Sequence, residues 1–307
     1  MKETVLTHRL GNVLHLYTFE PNVEAKGIVL LVHGAGEHAR KYDEFANYLT
    51  ENGFYVVSYD QFGHGKSKLL PDRVVFAKEN GDALLLDGLV LVHEYASGIQ
   101  PSLPIFVIAH SMGTFLVRAL MTTRKDLFDG HILIGSSVFS PLKIKLALLT
   151  SKWIMKFKGY DYISSFMTSQ TQDKPYKSMK KRGLIHERHE WVTSDITRQK
   201  LLKSDTLSNA PFTISAQSDI FKLMLKAQAY NELKKTANGR LVHIICGEED
   251  ALCNYGEGIK KLYGLYFKSG FTNLNYKVYP NVRHELLNEI NRDEVMGDIL
   301  EILIKET

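Results

Sequence analysis

The sequence predicts an α/β fold: a mainly parallel sheet with helices on both faces and one helical insertion. Three observations predict it. Short, continuous apolar runs recur along the chain, the pattern of strands buried on both faces. Stretches with helical spacing alternate with those runs. About 96 residues, 140–235, then lack any strand pattern and read as helices and polar turns.

The elements follow in order. Val5, Leu6 and Leu10 precede the turn pair Gly11-Asn12, and Val13, Leu14, Leu16, Tyr17 and Phe19 follow it, which reads as a β-hairpin. KGIVLLVHG (26–34) is a buried strand ending in glycine. Residues 39–52 carry helical spacing and stop at Gly53, a residue suited to the position after a helix. Phe54–Tyr59 is a strand, Asp82–Tyr95 a helix, Leu103–Ala109 a strand and Thr114–Thr122 a helix. His131–Gly135, Leu241–Cys246 and Leu274–Tyr279 are further strands, and Asp293–Lys305 is a closing amphipathic helix. Residues 1–139 and 236–307 are thus expected to form one core. Residues 140–235 are expected to form a cap, or lid, over the C-terminal ends of the strands, where open α/β sheets place their sites.

Composition narrows the class. The chain has 307 residues, 44% hydrophobic and 23% charged, which excludes disorder and fibrous repeats. The longest apolar runs, Ile28–Val32 and Ile105–Ala109, are far shorter than the roughly 20 residues of a membrane-spanning helix. The opening MKETVLTHRLGN lacks the apolar core of a secretory signal. Cys246 and Cys253 make no disulfide framework and lack metal-ligand spacing, so a reducing, cytoplasmic setting is expected. A net charge of +4 is too mild to imply a nucleic acid partner. The charge is uneven, however: residues 143–188 carry eleven basic and three acidic side chains.

Four blocks carry chemistry. IFVIAHSMGTF runs from a buried strand through Ala109-His110-Ser111-Met112-Gly113 into a helix, the strand–turn–helix setting of a nucleophilic serine. Ser111 on such a turn stands clear of the sheet edge, and small residues two positions either side let strand and helix pass closely. Ala109 replaces the glycine usual at the first of these positions. The second block, LLVHGAGEHARKY, follows the earlier strand with a His-Gly-x-Gly turn, which frees backbone N–H groups to hold an oxyanion. The donors expected are Ala35 and Met112, the residue after the serine. A phosphate loop would need G-x-x-x-x-G-K-[ST], which is absent.

The acid and base follow in chain order. Asp250 lies in GEEDALC after one strand, and His284 in NVRHELL after the next, so Ser111, Asp250 and His284 can meet at one sheet edge. Glu248 and Glu249 compete for the role of acid. YDQFGHGKS (59–67) is expected to be a structural turn, and Cys253 a small buried residue. Within the insertion, KIKLALLTSKWIMKFK (143–158) interleaves Lys143, Lys145, Lys152, Lys156 and Lys158 with Ile144, Leu148, Trp153, Ile154, Met155 and Phe157. Two readings stay open: a cap helix with Trp153 and Phe157 in its core, or a basic amphipathic helix that lies on an anionic membrane.

Together these blocks resemble the monoglyceride lipase and lysophospholipase group of the α/β-hydrolases. HGAGEH (33–38) with Tyr42, DQFGHGKS (60–67), AHSMG (109–113), GEEDALC (247–253) and His284 carry the likeness, which covers residues 26–140 and 240–306. TSDITRQKLLKSDTLSNAPFT, in the insertion, looks like a segment of bacterial lysophospholipase-like members. The resemblance implies an α/β-hydrolase fold and hydrolysis of a single-chain lipid ester, with no cofactor and no metal. It places Glu37 and His110 on the polar side of the pocket, near the headgroup. Lys41 stands where monoglyceride lipases commonly have arginine. Monoacylglycerol is the expected substrate. Other readings are a lysophospholipase or general carboxylesterase, a peptidase or C–C hydrolase of the same fold, and a non-enzymatic binding module.

Overall fold

The computed structural model describes residues 1–171 and 173–307. Its eight strands are β1 (Lys2–Thr7), β2 (Val13–Phe19), β3 (Gly27–Val32), β4 (Phe54–Asp60), β5 (Ile105–His110), β6 (Gly130–Ile134), β7 (Leu241–Gly247) and β8 (Leu274–Tyr279). They form one sheet in the order β1-β2-β4-β3-β5-β6-β7-β8. β2 pairs antiparallel with β1 and β4, and every other pairing is parallel. The chain moves outward from β3 to β4 and then returns to lay β5 on the other side of β3. The C-terminal ends of β3 and β5 therefore flank the point where strand order reverses, the place where such sheets open a crevice.

Strand periodicity divides the core. Leu30, Val107, Leu133 and Val242 face one side, with α2 (Gly81–Ser97) and α3 (Met112–Met121) packed over them. Val29, Leu31, Phe106, Ile108 and Ile245 face the other, under α1 (Asp43–Glu51). The run from residue 39 begins as a single 3₁₀ turn, Ala39–Tyr42, before α1 takes over.

Among the described residues, the 140–235 segment carries the helices α4 (Pro141–Lys158), α5 (Ser165–Gln170), α6 (Lys174–Lys181), α7 (Ile196–Ser204), α8 (Ile214–Ala227) and α9 (Tyr230–Thr236). They do not behave as one unit. Ala216, Leu223 and Ala227 of α8 and Leu233 of α9 are buried in the same cluster as the sheet, so these two helices belong to its covering layer. Ile144 of α4 and Met167 of α5 instead make a smaller cluster against Ile214 and Phe221 of α8.

The reading of Trp153 and Phe157 as cap core is corrected here: they are 67% and 63% exposed. Ile144 and Ser151 mark the buried side of α4, while Leu142, Leu146, Leu149, Trp153 and Phe157 recur at helical spacing on the other. Two elements complete the core. α10 (Glu257–Ser269), which the sequence reading passed over, buries Ile259, Leu262 and Tyr266 on the first face. α11 (Arg292–Lys305) covers the second with Val295, Ile299 and Leu303. Among the described residues no helix is long and apolar enough to cross a membrane.

Candidate active site

β5 ends at His110, and the chain turns at Ser111 with φ 51° and ψ −116° before α3 begins at Met112. A non-glycine residue at positive φ is strained, and strain of this kind persists only where the surroundings fix it. Ser111 N–H donates to the Ile134 carbonyl at 2.9 Å. A Cβ on Gly113 would lie 2.5 Å from the Val32 carbonyl oxygen and 2.7 Å from that of His33, so the second small position is closed to any side chain. Ala109 pairs with Val32 and Leu133 in mid-sheet, where its methyl group is accommodated in the core.

The loops after β7 and β8 bring the predicted partners to this turn. His284 Nε2 is 2.9 Å from Ser111 Oγ, and its Nδ1 is 2.8 Å from Asp250 Oδ2. Asp250 is fully buried, and its other oxygen accepts the N–H groups of Leu252 at 2.8 Å and Cys253 at 3.2 Å. Burial pushes the Asp250 carboxyl up, but His284 and the bonds from Cys253 outweigh it and hold it below the usual range. The competing acids point elsewhere, Glu248 to Asn281 N–H and Glu249 to Arg283. Cys253 is buried, with its thiol directed to the Ser136 carbonyl.

The loop after β3 has its polar groups assigned one by one. Gly34 N–H donates to Glu37 Oε2 at 2.9 Å, and the Gly34 carbonyl faces His33 Nδ1 at 2.8 Å. Gly36 N–H donates to His64 Nε2 at 3.1 Å, and the Gly36 carbonyl accepts from Asn209 N–H at 2.8 Å. Among the described residues, the N–H groups of Ala35 and Met112 have no hydrogen-bond partner within the protein. The 59–67 block braces this loop. Besides the His64 bond, Asp60 accepts the N–H groups of Ala39 and Lys66, each at 2.8 Å.

Glu37 and His110, expected on the polar side of the pocket, are buried and hydrogen-bonded within the protein beside the site. Glu37 Oε2 accepts Tyr42 O–H at 2.8 Å, and Lys41 Nζ sits 3.5 Å from its other oxygen and 2.8 Å from Glu285. Burial raises the Glu37 carboxyl, but Lys41 and His110 overcome that and drive it well below the carboxylate range. Sequence reading also missed Trp191, whose ring stacks on His284 with centroids 4.9 Å apart and planes 24° apart. Nothing in its local sequence marks it, because the stack exists only through tertiary packing. Among the described residues no group of three or more His, Cys, Asp or Glu side chains is arranged to hold a metal ion.

Sheet order, elbow and the Ser–His–Asp array together define an α/β-hydrolase. A carboxyl esterase from Bacillus coagulans, solved in complex with glycerol, superposes over 99% of this chain and 98% of its own, with a TM-score of 0.86 at 23% identity. The family of the serine aminopeptidases, S33, matches residues 23–291, and the chain belongs to that family. Over 141 residues it is 30% identical to the monoglyceride lipase homolog of Monkeypox virus, 44% of this chain and 47% of that protein. Over 137 residues it is 30% identical to monoglyceride lipase of Mus musculus, 42% of this chain and 41% of that protein. The chain thus spans less than half the length of these curated relatives.

Proposed function

We propose that this protein is a serine hydrolase acting on the carboxylic ester of single-chain lipids, with monoacylglycerol as its substrate. The observation that carries this reading is the continuous line Ser111 Oγ, His284, Asp250 at 2.9 and 2.8 Å, beside two unpartnered N–H groups at Ala35 and Met112.

In this reading His284 Nε2 takes the proton of Ser111 as Oγ attacks the ester carbonyl. Asp250 holds the ring and stabilises its imidazolium form. The Ala35 and Met112 N–H groups receive the negative oxygen of the tetrahedral intermediate, and each such donor lowers the barrier by roughly 2.7–4 kcal/mol. The intermediate expels the alcohol, which leaves with the proton from His284. Water then repeats the sequence on the acyl-enzyme and returns Ser111. Glu37 and His110 act as struts for the loops rather than as headgroup ligands.

Helices α4–α7 form the cap in this account. Its 190–194 segment meets the His284 loop, where Glu285 N–H donates to the Val192 carbonyl at 2.7 Å. The exposed stripe from Leu142 to Phe157, flanked by five lysines, suits an interfacial helix on an anionic membrane, in keeping with a cytoplasmic enzyme that works at a lipid surface.

The family name raises a peptidase as the second reading. A peptidase that reads a free amino terminus needs a carboxylate facing its pocket, and Glu37 is already occupied by Lys41, Tyr42 and His110. Hydrolysis of 1-monoacylglycerols, lysophosphatidylcholines and aminoacyl amides, measured side by side over several chain lengths, tests the proposal. Fastest release of fatty acid from monoacylglycerol is expected. Preferred cleavage of the amides would overturn the reading, and preference for lysophosphatidylcholine would correct its headgroup.

A further inference from the structure

We propose that Trp191 is a positioning residue that stabilises the charged form of the His284 ring through its indole face. The inference rests on the reading of His284 as the proton carrier. It adds a part of the catalytic machinery supplied by the segment between β6 and β7, not by the sheet.

The first observation is the stack itself. Trp191 lies nearly parallel to His284, with ring centroids 4.9 Å apart and planes 24° apart. A cation over an indole face within about 6 Å is attracted by the negative face of the ring, most strongly where water is excluded. His284 is buried, so a charge formed on its ring has little solvent to spread into.

The second observation is that the position of Trp191 is fixed from both sides of its segment. Arg283 Nη1 donates to the Glu190 carbonyl at 2.7 Å, and Glu285 N–H donates to the Val192 carbonyl at 2.7 Å. Thr193 Oγ1 donates to the Asn288 carbonyl at 2.9 Å, and Ser194 N–H donates to Glu289 Oε1 at 3.0 Å. The residues on either side of His284 thus hold the carbonyl groups of the residues on either side of Trp191.

The third observation gives the stack a task. His110 packs on His284 with centroids 4.7 Å apart. Both its ring nitrogens face acceptors, Glu37 at 3.3 Å and the His284 carbonyl at 3.1 Å, an arrangement that favours the protonated form of His110. A second positive charge on His284 is repelled by it. The groups facing His284 are therefore Asp250 from the β7 loop and Ser111 from the elbow, His110 from the end of β5 with Glu37 behind it, and Trp191. Asp250 and the indole offset the repulsion from His110, one along the ring plane and one across its face.

The test is a titration of the His284 ring by NMR in ¹³C-histidine-labelled protein, with His284→Gln to assign the resonance. Trp191→Leu keeps an apolar group over the ring and removes the π face. Its His284 pKa is expected to fall by about half to one pH unit relative to wild type. Trp191→Phe should fall less, and the acid limb of kcat/KM should move with the pKa in each variant. A purely space-filling role predicts the reverse, since a smaller side chain admits water, which favours the charged ring. An unchanged or raised pKa in Trp191→Leu overturns the proposal. Trp191→Met gives the same reading if Trp191→Leu does not fold. The titration needs no turnover, so failure of wild type to hydrolyse any ester would refute the proposed function and leave this result to stand or fall by itself.

Discussion

His110 Nε2 donates to the carbonyl oxygen of His284 across 3.1 Å, so the residue before the elbow serine holds the backbone of the histidine 174 positions later. Its other nitrogen faces Glu37 Oε1 at 3.3 Å. Glu37 in turn accepts Gly34 N–H in the loop that presents Ala35. One buried chain of charges therefore ties three loops together: the elbow, the loop after β3 and the His284 loop.

That chain has a pH signature. Burial alone would lower the His110 pKa, but Glu37 outweighs it and the net shift is upward. A native pKa above the unfolded value near 6.5 means that the contribution is complete below about pH 6.5 and is lost as pH rises through the native value. The stability gap between wild type and His110→Gln, measured by urea unfolding from about pH 6 to 9, should shrink as pH rises. A gap that widens would contradict the assignment.

Asp250→Asn should fold normally and lose activity by roughly ten-thousand-fold, because an amide favours the wrong tautomer and cannot stabilise imidazolium. Glu249→Gln disturbs only a 3.4 Å pair with Arg283 and should stay near wild type. Steady-state rates on any cleaved ester decide between the two carboxylates. An inactive Glu249→Gln beside an active Asp250→Asn would show that the acid lies elsewhere.

Gly247 ends β7 where the loop to His284 crosses it, and a Cβ there would collide with the carbonyl oxygens of Val282 and Arg283. Gly247→Ala should cost about 2–3 kcal/mol and reduce activity by displacing His284. Gly264, inside α10, has open space around it, so Gly264→Ala should be neutral or stabilising by up to about 1 kcal/mol. Chemical denaturation of both variants separates a packing requirement from a general intolerance of substitution.

The sequence was most informative where chemistry sits at the ends of strands. Each apolar run fixed a strand, and Ser111, Asp250 and His284 each lie one turn beyond one, so their meeting followed from parallel order alone. Contacts between distant loops were not legible. Lys41 and Glu285 are 244 positions apart, and no local pattern pairs them. Trp191 is a single aromatic residue in a polar stretch, given meaning only by the loop it packs on. α4 misled for a related reason: it has apolar residues on two sides, and composition does not say which one α8 covers. α8 and α9 read as insertion because they follow it without a break, although their buried side chains belong to the main core.

The outward side of α4 makes a membrane prediction. Co-sedimentation with anionic vesicles should be salt-sensitive and weakened by replacing Lys143, Lys145, Lys152, Lys156 and Lys158 with glutamine. Trp153→Ser with Phe157→Ser should weaken binding to anionic and neutral vesicles alike, since it removes apolar area rather than charge. Equal sedimentation of all variants would leave α4 a cap helix with no role at a lipid surface.

The central claim is that Ser111 is a nucleophile activated by His284, and a fluorophosphonate probe tests it most directly. Wild type should be labelled at a single site, mapped by peptide mass spectrometry to Ser111, while Ser111→Ala takes up no label and His284→Gln almost none. Equal labelling of wild type and Ser111→Ala would contradict the account.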